Sequence, residues 1–63
     1  MKHGTFLQEL RKIARAKGLD LELVRHGANH DLYELGTVRL TVPRHPDVNE
    51  LTARSILKEA NKA

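Results

Sequence analysis

Apolar residues along this chain change their spacing twice, and that change restricts the fold more than any other feature. Phe6, Leu7, Leu10, Ile13 and Ala14 recur at helical intervals. Leu19, Leu21 and Leu23 then alternate with Asp20 and Glu22, and Val38, Leu40 and Val42 alternate with Arg39 and Thr41, the period of a half-buried strand. Helical spacing returns through Val48, Leu51, Thr52, Ser55, Ile56 and Ala60. Each element offers one apolar stripe or face that has to be buried against another. With 63 residues there is material for one small domain, spanning 1–63. Such a domain removes only about 60% of its unfolded surface from water, so any site must be shallow.

Local signals set the expected boundaries. Thr5 and Gln8 form a capping-box pair and Gly18 is a natural residue after a helix, which predicts a first helix over 5–17. The strand carrying Leu19, Leu21 and Leu23 is expected to end in a turn at Arg25-His26-Gly27-Ala28-Asn29. A second strand follows over 30–35, a tight turn at Gly36, and a third strand over 37–42. Pro43 and Pro46 exclude regular helix or central strand. Asp47 and Glu50 form a second capping-like pair, which predicts a closing helix over 48–61. The expected fold class is α+β in the order α-β-β-β-α. Short loops favour an antiparallel three-stranded sheet, with both helices on one face. That is the layout of the double-stranded-RNA-binding-domain fold.

Charge narrows the partners. Residues 1–17 hold Lys2, Arg11, Lys12, Arg15 and Lys17 against Glu9 alone, a net +4, whereas the remainder nets −1. A basic end on a small domain suits a phosphate-rich ligand, or simply a solvated helix face. With 30% charged and 40% hydrophobic residues, the chain reads as an ordinary soluble fold rather than a disordered one. No apolar run nears the roughly 20 residues that span a bilayer, and Met-Lys-His-Gly lacks a signal-peptide core. The expected location is therefore cytoplasmic. Cysteine is absent, which excludes disulfides and zinc–thiolate sites.

Three segments resemble one family. Gly27-Ala28-Asn29-His30 is similar to the Gly-Ser-(Asn/His)-His stretch of HicA toxins, at the same place between the first two strands. Val42-Pro43-Arg44-His45-Pro46 resembles the family's Pro-Arg-His-Pro segment, and Leu51 to Ala60 its closing helix with the Arg-x-Ile-Leu-Lys run. The likeness covers essentially the whole chain. It departs at Ala28, where the family commonly has Ser, and at Asn61, where it often has Gly. The resemblance implies an endoribonuclease that cleaves messenger RNA as the toxin of a toxin–antitoxin pair. It further implies inhibition by a HicB-like antitoxin, no DNA contact except through that antitoxin, and one essential histidine, His30.

The residues can do that chemistry. RNA supplies its own nucleophile, the 2′-hydroxyl, and an imidazole exchanges protons near working pH without a metal or other cofactor. His30 is the candidate catalytic group, beside a turn of Gly27 and Asn29. Arg25, Arg39 and Arg44 are candidates for holding phosphate by paired donors. Arg11, Lys12 and Arg15 on the polar face of the first helix are candidates for backbone contact. Tyr33 is either a packing residue or a platform for a base, and His45 either an accessory group or an antitoxin contact. His26 reads as a turn residue and His3 as a terminal one. His26, His30 and His45 have no recognised metal spacing. Two other readings stay open: a non-catalytic RNA-binding module, and a protein-interaction domain whose charge serves solubility alone.

Overall fold

The computed structural model describes residues 1–63 as α1 (His3–Lys17), β1 (Leu21–His26), β2 (His30–Leu35), β3 (Val38–Pro43) and α2 (Glu50–Ala60). The order is the α-β-β-β-α one read from the periodicity. The strands form one antiparallel sheet in the order β1-β2-β3, so β2 is central. Phe6, Leu10 and Ala14 of α1, Ala53 and Ala60 of α2, and Leu35, Leu40 and Val42 of the sheet share one core with Val48. Both helices thus cover the same sheet face. Full burial of side chains such as Phe6, Leu10 and Leu35 contributes about 1.5–3 kcal/mol each. No helix is long and apolar enough to cross a membrane.

Helix α1 begins two residues before the expected start, and Thr5 caps nothing. Lys2 is the residue before the helix and makes no side-chain cap bond. A long-range tie replaces the cap. The His3 amide donates to Pro46 O at 3.0 Å, the Val48 amide donates to Met1 O, and Lys2 bridges to Asp47. The N-terminal amine also donates to Val48 O at 3.0 Å and lies 3.3 Å from Glu50 Oε1. His3 is therefore the first helical residue, half-buried, and not a loose end. The other end of α1 follows expectation. Gly18 has φ 67°, and the amides of Gly18 and Leu19 return to Arg15 O and Ala14 O, closing the helix with a left-handed residue.

Helix α2 starts at Glu50, not 48, because Val48 is held by Met1. Its cap is Asn49, whose side chain accepts from the Leu51 amide at 2.9 Å; Asp47 plays no part. The buried side of α2 also differs from the expected stripe. Ala53 and Ala60 are buried with Ile56 and Leu57 packed beside them, while Leu51 is 76% exposed and Thr52 and Ser55 face outward. Small alanines let the helix lie close to the sheet, and this outweighs the apolar count of the other face.

The strands differ from expectation in β1 and, by one residue, in β3, which spans Val38–Pro43 and not 37–42. Leu19 precedes β1, and β1 runs on through Arg25 and His26, leaving a turn of only Gly27-Ala28-Asn29. The β2–β3 ladder is regular from His30↔Pro43 to Leu35↔Val38. Asp31, Tyr33 and Leu35 face the helices, and His30, Leu32 and Glu34 face the opposite way. In β1, Leu23 pairs with Tyr33 but Arg25 pairs with Leu32 and His26 with Asp31, so Val24 is an extra residue in a β-bulge. Without that bulge, alternation would turn Arg25 toward the helices and His26 away from them. With it, Arg25 stands on the outer face with His30, and His26 beside Asp31.

Candidate active site

The site is built at the end of the sheet where the Gly27–Asn29 turn joins β1 to β2. Gly27 is required there: its amide donates to His30 O at 2.9 Å, and a Cβ on it would lie 2.4 Å from that oxygen. A side chain at 27 would push His30 out of place. His30 opens β2 on the outer face, exposed, and its imidazole makes no hydrogen bond or ion pair. It lines a groove of about 420 Å³ whose sheet wall is His30, Thr41 and Pro43 and whose helix wall is Leu51, Thr52, Ser55 and Ile56. A smaller hollow continues past His30 to Arg25, Leu32 and Thr41.

Behind the turn lies a polar cluster that sequence reasoning missed. Asp31 is 5% exposed, the one buried charged residue of the chain. Its Oδ1 lies 2.8 Å from His26 Nδ1 and 3.4 Å from Arg44 Nε. Neither approach has hydrogen-bond alignment, so Asp31 is held by charge and proximity and not by a directed bond. Arg44 also meets His26 Nε2, and it donates to the carbonyls of Gly27 and, at 2.5 Å, Ala28. A guanidinium offers only donors, so Nε2 must accept and His26 carries its proton on Nδ1, facing Asp31. The Arg44 amide donates to Asn29 O at 3.1 Å, tying the turn a further time. Parity was the available signal: Asp31 alternates with Tyr33 and Leu35, which assigns it to the buried face.

The structure divides the expected phosphate-binding residues. Arg25 stands beside His30. Arg44 does not reach outward as a phosphate donor, because its guanidinium is occupied by carbonyls, His26 and Asp31. Arg39 lies at the other end of the sheet, opposite Glu34 and 3.4 Å from its Oε2. Four residues of strand separate it from His30, about 13 Å. Arg39, Arg44 and His30 therefore do not gather into one phosphate-binding edge. Arg11, Lys12 and Arg15 do come together, lining a hollow with Gln8 on the side of α1 that points away from the sheet. Tyr33 is half-buried against the core, on the face opposite His30. His45 lines a small hollow with Ala28, Asn29 and Arg44. His26, His30 and His45 do not form a cluster suited to a metal ion, and no other trio of candidate ligands does.

Comparison with family models, with curated proteins and with solved structures returns no match.

Proposed function

We propose that the chain is a HicA-like endoribonuclease, a double-stranded-RNA-binding-domain-like module that cleaves messenger RNA in the cytoplasm and is restrained by a HicB-like antitoxin. The observation that carries this reading is the contrast among the histidines. His26 is committed to Asp31 and Arg44, and His3 is packed at the start of α1. His30 and His45 are the exposed, unpaired imidazoles, and of the two it is His30 that lines the larger groove, beside a turn whose backbone is held from behind by Arg44. An unpaired imidazole in an open groove is available for proton transfer.

The reaction needs little else. His30 takes the proton of a 2′-hydroxyl, whose oxygen attacks the adjacent phosphorus. The bond from phosphorus to the 5′-oxygen breaks, and that oxygen is protonated by the imidazolium or by water. The products are a 2′,3′-cyclic phosphate and a 5′-hydroxyl. Arg25, on the same face as His30, supplies positive charge to the phosphate as it develops negative charge. His26 is no second proton carrier, because the bulge puts it on the opposite face from His30. No step calls for a metal or an organic cofactor.

The test compares the wild-type protein and His30→Ala on single-stranded RNA in excess chelator, with folding checked by circular dichroism. Cleavage by the first and none by a folded second supports the reading. Equal cleavage by both overturns it. A second reading, RNA binding without cleavage, draws on the Arg11, Lys12 and Arg15 cluster, which lies away from His30. It predicts salt-sensitive binding and intact RNA.

A further inference from the structure

We infer that the groove between β3 and α2 is the track for a single-stranded RNA segment, holding one nucleobase beside His30 and the next phosphates on Arg54 and Lys58. This rests on the ribonuclease reading and assigns its substrate site. Four observations carry it. The groove is about 420 Å³, within the range of pockets for a single small ligand, and His30 forms part of its wall. Its lining pairs apolar surface with hydroxyls: Pro43, Leu51 and Ile56 offer faces for a base, while Thr41, Thr52 and Ser55 offer groups that both donate and accept. Leu51 is the most exposed large hydrophobic residue of the chain and stands in the groove wall, where its side chain can cover a base.

The fourth observation is charge. Arg54 and Lys58 are exposed on α2 and take part in no salt bridge. At i+3 and i+7 from Leu51, with Ser55 at i+4, they continue one helical stripe away from the groove. The arrangement is apolar and hydroxyl-lined where a base sits and cationic beyond it. That is the order in which a nucleotide presents base and phosphate, and it suits a flexible single strand whose bases are unstacked. A duplex keeps its bases stacked and paired and has no free base to lay against these residues. The cations of α1 lie away from the sheet and belong to a separate surface.

The full-length protein is titrated with a short 2′-O-methyl oligoribonucleotide, which cannot supply the attacking hydroxyl, and followed by NMR. Shifts are expected at the Leu51 methyls and at the amides of Thr52 and Ser55. Arg54→Ala/Lys58→Ala should weaken binding on the order of tenfold at 0.1 M salt. It should also flatten the plot of log affinity against log salt by about 1.4, two single-strand phosphate contacts. Shifts confined to Gln8, Arg11, Lys12 and Arg15, with affinity and slope unchanged in the double variant, would overturn the inference. So would a groove that responds only to an acidic protein partner. Cleavage is read separately: on natural RNA, Ser55→Ala or Thr52→Val should change which bases flank the cut. RNA held in the groove but never cut removes the ribonuclease reading and leaves this one. Cutting with unchanged base preference and no groove shifts does the reverse.

Discussion

Arg44→Ala tests whether the cluster behind the turn acts as a unit. The variant strips Asp31 of its cationic neighbour and leaves only the His26 imidazole, 2.8 Å away. Removing one partner from a buried ion pair costs about 3–5 kcal/mol. Here Arg44 is partly exposed and His26 stays in place, so the expected loss is about 2–3 kcal/mol. The carbonyls of Gly27 and Ala28 add little, because solvent replaces the lost donors once Arg44 is gone. A 63-residue domain has roughly 3–9 kcal/mol of stability in all. The loss should lower the melting temperature by roughly 10–20 °C. Asp31→Asn, of the same shape without the charge, should cost less, and in its presence Arg44→Ala should cost less than it does alone. Urea unfolding of the four proteins gives the coupling, expected on the order of 1–2 kcal/mol. Additive losses, within about 0.3 kcal/mol, would refute the cluster and return Arg44 to the list of outward-facing phosphate ligands.

Other outcomes follow from the same geometry. Gly27→Ala should cut cleavage at least tenfold, because its Cβ meets His30 O at 2.4 Å; an NMR spectrum unchanged at His30 would contradict this. Replacing Arg11, Lys12 and Arg15 with Ala should leave the turnover of short single-stranded substrates unchanged, since those cations lie away from the groove; a fall in kcat would show that both surfaces serve one substrate. Arg39→Ala, at the far end of the sheet from His30, should alter cleavage less than twofold, while Arg25→Ala should alter it more than tenfold; equal effects in a cleavage assay would contradict the division.

Much of the architecture was legible because it depends on local pattern. The order of the elements, the bounds of β2 and the left-handed glycine after α1 all follow from spacing and turn chemistry that neighbouring residues carry. The start of α1 did not, because its first amides are satisfied by residues 46–48, which no local rule connects to residues 1–3. The rotation of α2 was misjudged for a related reason. Counting apolar residues favours Leu51, but close approach to β3 favours Ala53 and Ala60. At the site, the place of His30 at the start of β2 was readable from sequence, whereas the shortening of the turn and the contacts of Arg44 and His26 were not. A bulge reverses which face each later residue takes, and nothing in Leu23-Val24-Arg25 announces it.

That bulge also bears on how the protein behaves in a crowd. β1 is a free edge of the sheet, and Leu23 and Val24 are 51% and 47% exposed on it. A flat apolar edge of this kind invites another copy to add its own strand. Val24, as the supernumerary residue, breaks the even row of donors and acceptors that such an addition would use. Deleting Val24 should leave Arg25 opposite Leu32 and His26 opposite Asp31, because the residue removed is the unpaired one. The site would survive, and what would change is colloidal: a straightened edge, and a protein that self-associates at concentrations where the parent stays monodisperse.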